Sequence, residues 1–478
     1  MNKISLPQLW PVACHTDYVG KNSTFVAIKG AKEDGINYVP LALQKGARTI
    51  VAEYTAHISP EILQAIKDAD AQLMFVANGR RSLALLSANA WHNPAHHLKI
   101  IAITGTKGKT TTAWLLHHIL QESGKKSALL SSVKNKILNQ EFDTHLTTAH
   151  PDYLHAFFHA CTSWDIEYVV MEVAAQAVSL HRIDGLEFDG LIFTNFSATH
   201  GEFYDSPESY FQAKKELFTL CKPGSPLLIN ADDSHGASLL THYTQAISYS
   251  LSDGNAQLIT CNEHAGIEGV RGMIRNQNAH IKFEYQCPAL CGNFNAYNIT
   301  AASGMALQLG LDPQAIASHV ATFAGVPGRL ERYTLPNGAR CFIDHAHNVL
   351  SFQAVLPLLR SLTSHLIVVA GAGGDRDRAS RPTLGALMGQ YADRVIITAD
   401  NPRTEDPADI IAALYTGISE DKKEKVLCEI DREKAIKKAY ELSGPGTIIA
   451  LLGKGPEQYQ IIGSTKIPFS ERGIIAQL

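Results

Sequence analysis

Long apolar runs are missing from this chain. No stretch approaches the ~20 uninterrupted apolar residues that a membrane-spanning helix needs, and the opening MNKISLPQLW lacks the basic start and apolar run of a secretion signal. This predicts a cytoplasmic protein with no membrane partner. A charge excess is missing as well: the formal net charge is −4 and charged residues make up 18 % of the chain. That gives no electrostatic case for nucleic acid and points to a small-molecule ligand. Cysteine is sparse, with eight scattered from Cys14 to Cys428. Only Cys287 and Cys291 lie close together, without the second pair of a zinc site, so all eight read as reduced core thiols.

What is present is alternation of strand and helix over 478 residues, a length that suggests three domains at ~100–200 residues each. TFVAIKG, YVPLALQKGA and RTIVAE read as strand, helix and strand at parallel crossover spacing. A break falls at WHNPAHHLK, and a buried strand, KIIAITG, follows. The middle section alternates strands (SALLSS, EYVVMEVA, DGLIFTNFS, SPLLINAD) with helical runs such as ESYFQAKKELFTLC, implying a mainly parallel sheet covered by helices. After a more β-like stretch the pattern restarts beyond GVPGRLERY with ARCFIDHA, a helix from about Ser351 to Leu362, SHLIVVAGAGG, DRVIITADN and TIIALLGKG. An open α/β sheet binds ligands beyond the carboxyl ends of its strands. IDHAHN, AGAGGDRDR, TADNPR and LGKGPE all follow strands.

The strongest local signal is IAITGTKGKTTTAWLL. A buried strand ends at Thr104, Gly105 and Gly108 allow a tight turn with inward amides, and Lys109 and Thr110 open a helix whose N-terminus favours anions. In such a loop the lysine reaches the β/γ-phosphates and the hydroxyl binds Mg²⁺. The spacing is GxxGKT, shorter than the common GxxxxGKT. A magnesium-nucleotide site needs further oxygen or imidazole ligands; Glu172, ending EYVVMEV, and His200, after IFTNFSAT, are placed for this. Taken singly, each also reads as a solvated strand-end residue.

The series TFVAIKGAKEDG, TGTKGKTTT, LTTAHPD, MEVAAQAVSLHR, FTNFSATHGEFYDSPESYFQAKKELF, CGNFNAYN, GVPGRLE, IDHAHN, GAGGDRDRASRP, TADNPRTEDP and LGKGPEQYQ runs nearly the whole chain. In that order it resembles the ATP-dependent Mur ligases, in the branch that adds the third peptide residue. The resemblance implies a three-domain α/β architecture: a small N-terminal α/β domain for the UDP-sugar (1–97), a central P-loop ATPase domain (98–330) and a C-terminal Rossmann-like domain for the amino acid (331–478). It implies a monomeric enzyme that phosphorylates a carboxylate with ATP and Mg²⁺, then lets an amine attack the acyl phosphate. The substrates would be the UDP-N-acetylmuramoyl dipeptide and meso-diaminopimelate.

Residue by residue, the resemblance gives Gly105, Thr106, Lys107, Gly108, Lys109, Thr110 and Thr111 to the ATP phosphates. Asn295 and Asn298 fall on the adenine side, while Arg329 and Asp344 make further ATP contacts. Thr110 and Glu172 would hold one magnesium ion and His200 a second. Lys214 matches a lysine that becomes carbamylated and so also joins the metal set, coordinating or orienting a magnesium-phosphate complex, and Lys109, Glu172, His200 and Lys214 form the catalytic set. Thr147, Thr148, Arg182 and Lys214 would face the UDP-sugar dipeptide; Arg381, Asp400, Asn401, Pro402, Arg403, Gly453 and Glu457 would hold the amino acid. A planar guanidinium grips a carboxylate with two parallel hydrogen bonds, so Arg403 would select the distal carboxylate of diaminopimelate and Glu457 its ammonium. Without the resemblance, Arg403 could equally pair with Glu405 or Asp406 across a turn, and the two asparagines could cap a helix.

The departures concern the acceptor end. HTDYV (His15 to Val19) replaces a DSRxV stretch, Ala174 stands at a hydroxyl position, Thr199 replaces an aspartate and Pro456 a histidine. A relative acting on a different carboxylate is therefore the alternative enzyme. A non-catalytic sensor would leave the complete magnesium set unexplained, and a folylpolyglutamate synthetase would leave GGDRD, DNPR and GKGxE unexplained.

Overall fold

The computed structural model describes residues 3–30, 33–144, 146–197 and 203–478. The chain divides into two compact units, one of residues 1–262, 272–285 and 296–322, the other of residues 263–271, 286–295 and 323–478. The expected 97/98 boundary lies within the first, between the helical turn Pro94–His97 and strand Lys99–Thr104.

In the first unit a four-stranded parallel sheet joins Val12–Ala13, Thr24–Val26, Thr49–Glu53 and Gln72–Val76. Phe25, Ile50 and Ala52 fill its core. Next in the chain, strand Lys99–Thr104 takes parallel partners on both edges, Tyr168–Glu172 and Gly190–Phe193. Having no solvent face explains its unbroken IIAI, which is entirely buried. Ser127–Leu130, Leu227–Asn230 and Ile247–Ser250 continue the parallel array, and the β-like stretch supplies Leu258–Gly266, Gly269–Asn276 and Ile281–Cys287 at one end. The helical run after Ser206 is shorter than its sequence suggests: a capping box at Ser206 and Ser209 starts helix Pro207–Glu216, which tightens into a 3₁₀ turn at Leu217–Leu220.

The second unit contains five parallel strands in the spatial order Arg340–Asp344, Thr447–Leu452, His365–Ala370, Arg394–Ile397, Val426–Cys428. Glu331–Thr334 adds an antiparallel edge. The expected helix near Ser351 runs Val349–Ser361, capped by Asn348. A hairpin, Tyr459–Ile462 with Thr465–Pro468, follows the last strand; nothing in the sequence reading anticipated it. Beneath the strand ends lies a buried ion pair. Arg432 bonds Glu471 at 2.8 Å with both side chains almost wholly buried, and its guanidinium also reaches Leu452 O at 2.9 Å and Ala399 O at 3.5 Å. No helix among the described residues is long and apolar enough to cross a membrane.

Candidate active site

In the first unit the Gly-rich loop needs both its glycines. At Gly105 (φ 142°) a Cβ would lie 2.0 Å from Thr194 Oγ1, and at Gly108 (φ 84°) one would lie 2.4 Å from Asn298 Oδ1. The loop is tied to the segment after strand Gly190–Phe193. The Thr106 amide donates to Asn195 O at 2.8 Å and the Lys107 amide to Asn195 Oδ1 at 2.9 Å, while Thr194 Oγ1 donates to Lys107 O at 2.6 Å. Helix Lys109–Glu122 begins directly behind it, with Thr111 half-buried in its first turn.

Two lysines converge on one carbonyl. Lys109 Nζ donates to Gly105 O at 2.8 Å and Thr106 O at 3.0 Å, and Lys214 Nζ donates to Gly105 O at 2.9 Å. Lys214 is almost fully buried. Burial, and then the charge of Lys109, push its pKa well below the ordinary lysine value, a shift toward the neutral amine.

Glu172 is not the solvated strand-end residue it could have been: its exposure is 0 %. It accepts Thr110 Oγ1 at 3.0 Å and the Ser132 amide at 3.0 Å, with Ser132 Oγ also in range. Its own carbonyl accepts Thr148 Oγ1 at 3.1 Å, and Arg182 Nη1 donates to Thr148 O at 2.8 Å. The structure thus brings Thr110, Glu172, Thr148 and Arg182 into one connected cluster. Arg182 Nε, buried, meets no acceptor among the described residues. Thr147 precedes this cluster and is half-buried. His200 lies outside the described residues. Asn298 accepts from Thr112 Oγ1 at 3.3 Å.

In the second unit, Asn295 Nδ2 donates to Cys291 O at 2.7 Å, a local bond at a helix start. Asp344 ends its strand buried, accepting the Leu330 and Ala346 amides at 2.8 Å each. That fixes the turn carrying Arg329, whose buried Nε has no partner among the described residues.

The residues expected to hold the amino acid follow strands His365–Ala370, Arg394–Ile397 and Thr447–Leu452. Arg403 adopts φ 52°, a left-handed conformation unusual for a side chain this large. Pro402 alone does not impose this; the hairpin does. The Arg403 amide donates to Ile461 O at 3.0 Å, Gly463 N donates to Arg403 O at 2.7 Å, and Ile461 N donates to Asn401 Oδ1 at 2.9 Å. Arg403 Nη1 donates to Gly374 O at 2.7 Å. The turn ion pairs that the sequence left open are not formed among the described residues. Glu405 instead accepts both Nη atoms of Arg381 at 2.8 and 3.0 Å, and Asp406 caps helix Pro407–Tyr415. Hydrogen bonds from Arg381, then from the Asp375 amide, draw Glu405 down to about 2.

Arg381 is thereby committed to an internal partner. Asn401 Nδ2 donates to Glu457 Oε2 at 2.9 Å. Gly453 (φ 113°) has no room for a Cβ, which would meet Asp400 Oδ2 at 2.2 Å. Ser132, Asn195 and Lys454 are the site neighbours that sequence reasoning passed over; Glu405 was named, but as a partner for Arg403 rather than Arg381. All three stood inside quoted stretches, but their partners are far away in sequence.

Residues 103–306 match the Mur ligase middle domain and residues 328–455 the Mur ligase, glutamate ligase domain. The chain belongs to the Mur ligase family. It is 35 % identical over 461 residues to the UDP-N-acetylmuramoyl-L-alanyl-D-glutamate--2,6-diaminopimelate ligase of Parabacteroides distasonis, covering 95 % of this chain and 91 % of that one. The enzyme of the same name from Caldanaerobacter subterraneus is 34 % identical over 459 residues, with the same coverage. A solved structure of a ligase of that name superposes with a TM-score of 0.67 at 26 % identity, covering 98 % and 94 % of the two chains. MurF from Acinetobacter baumannii shares the fold, with a TM-score of 0.68 at 16 % identity over 98 % of this chain and 93 % of that one. In this Mur ligase the loop at Gly105, the carboxylate at Glu172 and the guanidinium at Arg403 all lie beyond the carboxyl ends of parallel strands, where α/β sheets bind ligands.

Proposed function

We propose that this Mur ligase joins meso-diaminopimelate to the D-glutamate carboxylate of UDP-N-acetylmuramoyl-L-alanyl-D-glutamate, with ATP and Mg²⁺, in the cytoplasm and as a monomer. The observation that carries the reading is Arg403: a guanidinium held in a strained backbone conformation by a dedicated hairpin and forming no ion pair with a described carboxylate, two residues beyond Asn401, which bonds Glu457. Such a pair matches a distal centre that carries both a carboxylate and an ammonium. We assign residues 1–97 to the UDP-sugar, 98–330 to the nucleotide and 331–478 to the amino acid.

The residues present suit a magnesium nucleotide. Two lysine amino groups at one loop carbonyl, a helix N-terminus and the oxygen pair of Thr110 and Glu172 suit a phosphate cradle beside a hard-cation site. Bound MgATP supplies the phosphoryl group that activates the carboxylate and neutralises charge as it transfers. In this arrangement Lys109 leaves the Gly105 and Thr106 carbonyls to contact phosphate, and Gly105 to Thr111 line the loop and first helical turn. Thr110, Glu172, His200 and Lys214, the last as its carbamate, are the assigned metal ligands. The neutral Lys214 amine is the form that would attack CO₂: an N–C bond forms as the electron pair of one C=O bond moves to oxygen, one proton leaves, and a neutral amine becomes a carbamate anion.

Thr147, Thr148 and Arg182 hold the acceptor, the buried Arg182 Nε being available for an anionic oxygen. Asn295, Asn298, Arg329 and Asp344 contact the rest of ATP, and Arg381, Asp400, Asn401, Pro402 and Gly453 shape the amino-acid pocket. The test is phosphate release by purified protein. Release should require ATP, diaminopimelate and the UDP-muramoyl dipeptide together. Release that ignores the UDP-muramoyl dipeptide would reject this acceptor and favour another carboxylate, the reading that the HTDYV departure leaves open.

A further inference from the structure

Lys454 carries no catalytic assignment, yet its side chain is 0 % exposed. An unpaired buried ammonium is costly, and this one is fully engaged. Nζ donates to Asn401 Oδ1 at 2.8 Å and to Glu457 Oε2 at 2.8 Å, stands 4.0 Å from Asp400 Oδ1, and lies 5.4 Å from the Tyr459 ring centroid. Its three polar partners all belong to the proposed amino-acid set.

We propose that Lys454 is a positioning residue for amino-acid selection, an internal counter-ion that locks Asn401 and Glu457 into the geometry that receives the substrate's distal ammonium. The inference rests on the amino-acid site proposed above. Two features support it beyond proximity. First, Lys454 fixes which way the Asn401 amide points. With Oδ1 accepting from both Lys454 Nζ and the Ile461 amide, Nδ2 is left to donate to Glu457 Oε2. Second, both donors act on the same oxygen of Glu457. Oε1 accepts no hydrogen bond from the described residues, and the side chain is 24 % exposed, so one oxygen anchors the carboxylate while the other is presented. Burial opposes ionisation of Glu457, but the charge of Lys454 and the hydrogen bonds from Lys454 and Asn401 outweigh it and hold the group below the usual carboxylate range. Lys454 touches no reacting atom in this scheme; it acts through its two partners.

The test compares the parent enzyme with Lys454→Met, Lys454→Gln and Lys454→Arg, measuring phosphate release with diaminopimelate, L-lysine and other amino acids, and checking each fold by thermal unfolding. Loss of a charge-assisted contact should raise KM for the amino acid by about 10- to 100-fold in Lys454→Met. KM for ATP should stay within about twofold, and Lys454→Arg should recover part of the loss. In the Glu457→Gln background, Lys454→Met should add little, because both act through one carboxylate. Equal rises in both KM values, a fall in kcat alone, or unfolding of all three variants would overturn the inference and leave Lys454 a structural residue. A parent enzyme that prefers another amino acid rejects diaminopimelate but not the role of Lys454, which is then read with the preferred amino acid. No turnover with any amino acid refutes both.

Discussion

Replacing Arg403 with glycine separates two things that are coupled in the native residue, a strained backbone and a guanidinium. At φ 52° an L-residue costs about 1–2 kcal/mol relative to a relaxed conformation, whereas glycine accepts this region freely. Glycine loses more backbone entropy on folding, about 0.5–1 kcal/mol, so Arg403→Gly should fold within about 1 kcal/mol of the parent. The hairpin bonds to its amide and carbonyl survive, because they are backbone bonds. What is lost is a hydrogen bond to a charged group, worth about 1.5–3 kcal/mol. At 1.4 kcal/mol per decade this becomes a rise of about 10- to 150-fold in the diaminopimelate KM. L-Lysine has no distal carboxylate, so whatever turnover it supports should change little, and the preference for diaminopimelate should collapse by the same factor. The assay is phosphate release with each amino acid varied in turn, and then with ATP varied. A KM for ATP that rises as far as that for diaminopimelate, or no change in either, would refute the selector role and reduce Arg403 to a strut against Gly374.

Gly105→Ala should abolish phosphate release, with a loss of more than about 100-fold, because its Cβ would overlap Thr194 Oγ1 at 2.0 Å; near-normal turnover would show that the loop is not the phosphate cradle. Arg432→Met should cost about 3–5 kcal/mol in urea unfolding by stranding the buried Glu471 carboxylate, and Arg432→Met/Glu471→Leu should recover most of it; a mild single variant would count against the pair. His117 is held down to about 3 by burial and then by Lys136. The folded state therefore binds fewer protons than the unfolded one between pH 3 and 6.5, stability falls as pH drops through that window, and His117→Asn should flatten the slope. The same sign applies to Lys214, whose depressed pKa means the folded state gains stability as pH rises toward the usual lysine value. Lys214→Met should remove that gain, and an unchanged profile would contradict a neutral amine.

The phosphate loop was legible in the sequence because its determinants are contiguous: an apolar strand, two glycines in five residues, and a helix opening on Lys109. The parallel sheets were legible for a related reason, since strands buried on both faces read as unbroken apolar runs. Less visible was anything that depended on a partner far along the chain. Ser132 joins Glu172 across 40 residues and Lys454 joins Asn401 across 53, and no periodicity marks either pair. Arg403 was legible as a guanidinium after a proline, but not its left-handed backbone, because the hairpin that holds it comes some 60 residues later. Glu405 was visible as a candidate partner for Arg403. Only the fold showed that Arg381 takes it.

That reassignment bears on how selection is built. Around Arg403 the other charges pair with one another, Arg381 with Glu405 and Lys454 with Glu457. Glu405 also pairs with Arg378 at 3.1 Å, so these carboxylates are occupied by cations other than Arg403. Arg403 forms no ion pair with a described carboxylate, although Asp375 feels its charge, so on the proposed reading its direct partner is an anion arriving with the substrate. A competing amino acid with a distal ammonium and no carboxylate would leave that guanidinium unmatched as the pocket desolvates, and rejection by an unpaired buried polar group discriminates more sharply than a missing apolar contact does. On the proposed function, selection for diaminopimelate would depend on Glu405 and Lys454 as well as on Arg403. Glu405→Gln should release Arg381 as a second carboxylate receptor, which would lower the pocket's discrimination without removing Arg403 itself.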